Sequence, residues 1–263
     1  MTDFQYLTLE KQDGLATLRL NRPADAHSIN VELARELMLA AIDCDEDPDV
    51  RAVLLTSSGK IFCAGGDVPS FHAAGDQAPA LLKEITTYLH AASSRFARMR
   101  SPLIVAVNGT AAGAGFSLAI AGDLVIAAES AKFTMAYTGL GVSPDGGSSA
   151  ILPRLVGLRR AQELMFTNRL LSATEAQEWG LVTSVVADDA LEEEALKLAK
   201  RMAAGPTLAY GQIKALLLTS NDTALESQLE LESRGIASCI GSADGQEGVA
   251  AFIEKRKPSF SGQ

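Results

Sequence analysis

Asp145 stands between a proline and two glycines in "GVSPDGGSSAILPR", residues 141–154, just ahead of an apolar run. An aspartate in that setting has two readings. It is a good turn former, and a carboxylate carried on a tight turn can also act as a base or a nucleophile on a bound substrate. Two glycine-rich stretches could supply the other half of such a site. "IFCAGGDVPSF", 61–71, follows the strand-like "RAVLLTS", and "VNGTAAGAGFSLA", 107–119, follows "LIVAV". A small residue after a strand lets backbone approach a ligand closely, and a helix starting there presents unpaired N–H groups. Two such loops on neighbouring strands could aim two N–H groups at one oxygen, which is what an oxyanion hole requires. Taken singly, each loop is explained by the close packing of a helix on a strand. Neither is a phosphate loop: Gly-Lys-Ser/Thr is missing, and "GTAAGAG" lacks the ribose-binding acid at the Rossmann spacing.

The elements that would position these residues alternate along the first half of the chain. "QYLTLE" and "LATLRL" are short alternating runs on either side of Asp13-Gly14, the pattern of a hairpin. Val31, Leu33, Ala34, Leu37, Met38, Ala41 and Ile42 recur at helical spacing, with Asn30 as a cap. "RAVLLTS", "LIVAV" and "DLVIAA" read as buried strands. A long helix over 78–100 carries Leu81, Leu82, Ile85, Leu89, Ala92, Phe96 and Met99 on one face and is broken by Pro102. This order predicts an α/β core with crossovers. Beyond about residue 157 the character changes. Ser172 and Glu175 have capping-box spacing, "LVTSVV" is a short strand, and helical patterns then cover about 188–204, 206–219, 222–240 and 244–256. Two regions are expected, a core over 1–200 and a helical appendage over 201–263 that packs on something, another subunit included.

The bulk composition narrows the classes of function. The 263 residues are 47% hydrophobic and 21% charged, as in a globular protein able to bury a core without staples. Cys44, Cys63 and Cys239 are too few and too scattered for a metal site or a disulfide framework, which fits a reducing compartment. No apolar signal core opens the chain and no run is long enough to span a membrane, so a soluble cytoplasmic protein is expected. A net charge of −9 speaks against wholesale nucleic-acid binding, which needs a basic footprint. Of the remaining candidates, His90 reads as a packed or solvated helix residue. His27 and His72 fall in loops near the ligand path with nothing to pair them with Cys63, which reads as a small buried residue. Asp67 reads as the cap of the helix after it.

"LNRP" at 20–23, "FCAGGDV" at 62–68, "AVNGTAAGAG" at 106–115, "ESAKF" at 129–133, "GLVTSVV" at 180–186 and "EGVAAFIEKRKPSF" at 247–260 together resemble the enoyl-CoA hydratase/isomerase, or crotonase, superfamily. The resemblance runs over essentially the whole chain. It implies a spiral of ββα units, a C-terminal helical trimerisation region, an acyl-CoA thioester as ligand, and no cofactor beyond the coenzyme A of the substrate. By the same resemblance, the backbone N–H groups of Gly66 and Ala114 form the oxyanion hole. Ala26, Ala64, Gly65, Asp67, Val68 and Tyr137 line the substrate. Phe252 and Lys255 reach the coenzyme A nucleotide of a neighbouring subunit. Pro69 stands where the family often has a nucleotide-binding lysine.

Hydratases of this superfamily handle water with two glutamates, whose positions here hold Ser117 and Tyr137. A hydroxyl and a phenol are poor bases at neutral pH. Asp145 then remains, at a position where isomerases of the superfamily carry an acid and chlorobenzoyl-CoA dehalogenase carries its nucleophile. "SPDGGS" together with "AAGAG" is most similar to the ring-epoxyphenylacetyl-CoA isomerase branch. The expectation is an acyl-CoA isomerase with Asp145 as base, assembled as a trimer or a dimer of trimers. The alternatives are a hydratase, a dehalogenase-like hydrolase with Asp145 as nucleophile, and a non-catalytic acyl-CoA- or RNA-binding protein.

Overall fold

The hairpin at Asp13-Gly14 sets the first edge of the main sheet. Both residues adopt left-handed backbone, and β1 (Leu7–Gln12) pairs antiparallel with β2 (Leu15–Leu20) across them. The structure, a computed structural model, describes residues 4–263; the first three residues of the expected 1–200 core lie outside it. The chain then runs through α1 (Val31–Glu46), β3 (Ala52–Ser57), β4 (Ile61–Cys63), α2 (Val68–Ala74), α3 (Ala78–Arg98), β5 (Leu103–Val107), β6 (Thr110–Ala112) and α4 (Ala114–Ile120). It continues through β7 (Leu124–Ala128), β8 (Lys132–Thr134), α5 (Ser148–Val156), α6 (Leu158–Thr167), β9 (Leu171–Ser172), α7 (Ala173–Glu178) and β10 (Ser184–Val186). The last four helices are α8 (Leu191–Ala203), α9 (Thr207–Thr219), α10 (Leu225–Gly241) and α11 (Ala243–Glu254).

Two sheets share these strands. The larger has the order β1-β2-β3-β5-β7-β10 and is parallel from β2 onward; the smaller has the order β4-β6-β8-β9. The pairs β3/β4, β5/β6 and β7/β8 each place one strand in either sheet before the chain turns helical. That repetition is the ββα spiral. The fully buried runs of β3 and β5 read as continuous apolar segments because both of their faces are covered. One face packs on α1 and α3 through Leu33, Leu37, Leu89 and Phe96. The other packs on α8 through Leu191, Ala195, Ala199 and Ala203, a stripe with a spacing of four.

Local chemistry fixes the ends. Asn30 accepts from Leu33 N at 2.9 Å, and Ser172 with Glu175 forms a complete capping box. The buried Glu36 carboxylate accepts the backbone N–H groups of Gln5 and Tyr6 at 2.6 and 2.8 Å, tying the start of β1 to α1. The helical C-terminal region is moored by one buried lysine. Lys214 on α9 donates to Phe96 O at 2.8 Å and Ser101 O at 3.0 Å and pairs with Asp123 at 2.6 Å. Beyond that mooring, Leu217, Leu225, Ile236, Phe252 and Ile253 lie exposed on α9–α11. No helix among the described residues is long and apolar enough to cross a membrane.

Candidate active site

The two glycine-rich loops meet. Gly65 holds φ +99°, and a Cβ there would lie 2.9 Å from Ala112 O and 3.4 Å from Ala114 N, so only glycine allows this approach. Gly65 O accepts from Ile29 N at 2.7 Å, and Asp67 N donates to Ile29 O at 3.1 Å. In extended backbone successive N–H groups point to opposite sides. With residues 65 and 67 turned to Ile29, the N–H of Gly66 faces away from it. Ala114 opens α4, where a first-turn N–H has no intrahelical acceptor. Its φ is not positive, so the methyl group costs nothing. Neither N–H has an acceptor among the described residues. Two free donors on touching loops are what an oxyanion hole would require.

Asp145 is joined to this pair through α4. Ser117, one turn after Ala114 on the same helix face, places its Oγ 2.9 Å from Asp145 O and 3.1 Å from the Tyr137 hydroxyl. The Tyr137 hydroxyl donates to Asp145 Oδ1 at 2.5 Å. Burial and the neighbouring Asp145 charge push the Tyr137 phenol well above its ordinary range, so it keeps its proton. That single proton is spent on Asp145 Oδ1, while the one proton of Ser117 goes to Asp145 O, 2.9 Å from its Oγ. Asp145 O also receives Ser148 Oγ at 2.9 Å. Oδ2 accepts no hydrogen bond among the described residues and lies 3.8 Å from His90 Nε2.

The turn itself requires glycine. Gly146 has φ +64°, and a Cβ would approach Ser117 Cβ at 2.8 Å. Its N–H donates to His90 Nε2 at 3.1 Å. An Nε2 that accepts carries no proton, so His90 is neutral with its hydrogen on Nδ1 whenever this bond is made. His90 is thus tied to the Asp145 turn from α3, a role that its place in an amphipathic helix did not reveal.

The other predicted residues fall in three places. Ala64, Gly65, Asp67 and Val68 follow β4 beside Gly66, with Ala64 and Val68 exposed and Asp67 buried. Asp67 accepts from Ser70 N at 3.2 Å and caps α2. Ala26 is half-buried in the loop after β2, and its carbonyl accepts from Ala64 N at 3.0 Å. Phe252, 86% exposed, and Lys255 at the end of α11 project from the surface. His27 is buried in that loop after β2, donates through Nδ1 to Ile61 O at 3.0 Å, and is pushed down in pKa by burial. His72 sits on α2 rather than in a loop. Burial pushes the Cys63 thiol up to about 12. A groove of about 1710 Å³ beside β1, β2 and α8 contains none of the predicted site residues. Among the described residues no three His, Cys, Asp or Glu side chains gather as a metal site would require.

The family model described as "Enoyl-CoA hydratase/isomerase" matches residues 10–263. The chain belongs to the enoyl-CoA hydratase/isomerase family. It is 39% identical over 260 residues to a 1,2-epoxyphenylacetyl-CoA isomerase of Escherichia coli, covering 98% of this chain and 99% of that protein. It is 34% identical over 257 residues to 4-chlorobenzoyl coenzyme A dehalogenase-2 of an Arthrobacter species, covering 97% and 92%. The solved enoyl-CoA hydratase/isomerase of Cupriavidus metallidurans superposes with a TM-score of 0.91 at 33% identity, covering 100% of this chain and 98% of that one. Enzymes of this crotonase superfamily with different reactions thus share the frame of this chain.

Proposed function

We propose that the protein isomerises an acyl-CoA thioester, with Asp145 as the base. The observation that carries this reading is the asymmetric carboxylate. Oδ1 is bound by Tyr137 at 2.5 Å, while Oδ2 has no hydrogen-bond donor among the described residues and lies 3.8 Å from His90 Nε2. One held and one free oxygen suit a group that takes a proton and returns it. In the proposed step Oδ2 removes a proton from the γ carbon of an enoyl chain, and the electrons pass through the double bond to the thioester oxygen. The N–H groups of Gly66 and Ala114 hold the charge that develops there. The carboxyl, whose proton exchanges with water, then delivers a proton to the α carbon, or the sequence runs in reverse. No electrons are gained or lost, and no cofactor beyond the substrate's coenzyme A takes part.

Hydration would need a group to activate water. Ser117 and Tyr137 occupy the two glutamate positions, and both are committed to holding Asp145. Replacement of Asp145 by Asn keeps the turn and removes the base. That variant should fold, bind acyl-CoA and lose isomerisation by orders of magnitude; full activity in it would defeat the proposal. A second reading, with Asp145 as nucleophile, is favoured by His90 Nε2 at 3.8 Å from the free oxygen: released from the Gly146 N–H, its lone pair could activate water against an ester. A single turnover in heavy-oxygen water would then leave the label in Asp145, an outcome the base mechanism forbids.

The exposed apolar residues of α9–α11 support assembly of several copies, and we propose a trimer or a dimer of trimers. Phe252 and Lys255 would meet the coenzyme A of the adjoining copy. Substrates of this class belong to the intracellular thioester pool, and we place the enzyme in the cytoplasm.

A further inference from the structure

Arg22 is nearly buried, with 13% of its side chain exposed, and it is surrounded by acceptors from two loops. Its Nη1 donates to Ser28 O at 2.7 Å, Ser28 Oγ at 2.9 Å and Asp67 Oδ2 at 2.9 Å. Nε lies 3.1 Å from Asp25 Oδ2, and the guanidinium sits 5.1 Å from the centre of the Tyr6 ring. One cation therefore spans the loop after β2 and the loop after β4.

The first of these loops is held in an unfavourable shape. Ala26 and His27 are consecutive non-glycine residues with φ +52° and +54°. Such backbone persists only where its surroundings enforce it. Here the His27 ring is pinned to Ile61 O, Ala26 O takes Ala64 N, and His27 O takes the Cys63 thiol at 3.1 Å. The product of this arrangement is the register of Ile29. Its N–H and C=O engage residues 65 and 67 and thereby turn the N–H of Gly66 away. Asp67 belongs to both halves, since it pairs with Arg22 through Oδ2 and caps α2 through Oδ1.

We propose that Arg22 is a positioning residue for the oxyanion donor: through Ser28 and Asp67 it sets the loop register that aims the Gly66 N–H at the thioester oxygen. The inference rests on the oxyanion-hole reading above. Arginine suits the task because one rigid guanidinium sets Nη1 against Ser28 and Asp67 while Nε stays 3.1 Å from Asp25 and its face lies over the Tyr6 ring, a span that a lysine ammonium does not cover. Arg22→Lys preserves the charge and loses that geometry.

The readout is the polarisation of a bound carbonyl. 2,4-Hexadienoyl-CoA absorbs through a chromophore that ends on the thioester oxygen, and hydrogen bonds to that oxygen move the absorption to longer wavelength. Wild-type protein saturated with this probe should show the red shift. Arg22→Lys should bind the probe within about twofold of wild-type affinity, lose about half the shift or more, and lower kcat about tenfold or more with KM little changed. Asp67→Asn should move the same quantities in the same direction, and it decides the matter if Arg22→Lys does not fold. Ser172→Ala, which removes the distant α7 cap, lowers the melting temperature but should leave the shift intact, separating aim from mere stability. A full red shift in folded Arg22→Lys and Asp67→Asn overturns the clamp alone. No red shift in saturated wild-type protein overturns the oxyanion-hole reading, and the clamp with it.

Discussion

Tyr137→Phe removes one oxygen and leaves the ring to pack as before. What is lost is the 2.5 Å hydrogen bond to Asp145 Oδ1 and the phenol oxygen that lies 3.1 Å from Ser117 Oγ. A hydrogen bond to a charged acceptor contributes about 1.5–3 kcal/mol, and this one selects the carboxylate orientation with Oδ2 free. Without it the productive orientation should be depleted by about 10- to 100-fold, at about 1.4 kcal/mol per decade. A second effect opposes the first. A carboxylate relieved of its donor is a more reactive base, and with a roughly half-developed proton transfer about half of the logarithmic loss is regained. Depletion wins, leaving kcat lower by about 3- to 10-fold, with acyl-CoA affinity unchanged, since the proposed hold on the thioester oxygen is through backbone and not through Tyr137. Steady-state isomerisation and calorimetric binding measured on the same preparation give both numbers. A folded Tyr137→Phe with kcat within experimental error of wild type, or above it, would refute the idea that the phenol holds the base.

The clamp should leave a pH signature. Burial raises the Asp67 carboxyl, but the Arg22 bond and the Ser70 N–H outweigh it and hold the group below its usual value. A depressed folded value stabilises above the unfolded value of about 3.9 and is lost as pH falls below it. The melting difference between wild type and Asp67→Asn should therefore be constant from neutral pH to about 5 and collapse in more acid solution; a difference independent of pH would contradict the pairing. Burial pushes both Cys44 and Cys63 up to about 12, so a thiol reagent at pH about 8 should leave both unmodified until denaturant is added, as mass spectrometry of labelled peptides would show. If Lys255 serves a neighbour's nucleotide, Lys255→Ala should weaken CoA-ester binding by about 10-fold or more and spare the saturated rate. Light scattering should find three or six copies; a monomer at micromolar concentration would remove both the assembly and that contact.

The sequence made the long elements legible because their periodicity had length in which to repeat. The helix α1 with its Asn30 cap, the uniform runs of β3 and β5, and the Asp13-Gly14 turn stand where spacing put them, although Ile42, read as part of the apolar repeat of α1, is exposed while Ala40 and Cys44 are buried. The smaller sheet was not legible. Its strands β4, β6, β8 and β9 have two or three residues each, too few for alternation to register. In α5 the interior Pro153 masks a helix. At the site, Gly66, Ala114 and Asp145 came from motif wording, but their couplings came from folding. Tyr137 was expected against the substrate, and its hydroxyl is turned to Asp145, eight residues away in sequence. The bonds from His90 to Gly146 and from Arg22 to Asp67 join residues 56 and 45 positions apart, and no local spacing encodes either. "LNRP" pointed to Arg22 only as part of a signature. The hint available was chemical: an arginine and an aspartate in two loops that each flank a site need partners once buried.

In the proposed reaction Asp145 moves a proton on the acyl chain. Wild-type protein incubated with a 3-enoyl-CoA and, separately, with a 2-enoyl-CoA in deuterated water tests it most directly, with the products read by mass and by proton resonance. Interconversion of the two double-bond positions is expected, with deuterium entering only at the α and γ carbons and both events abolished in Asp145→Asn. Addition of water across the 2-enoyl double bond, with no deuterium at the γ carbon and no change in Asp145→Asn, would contradict it.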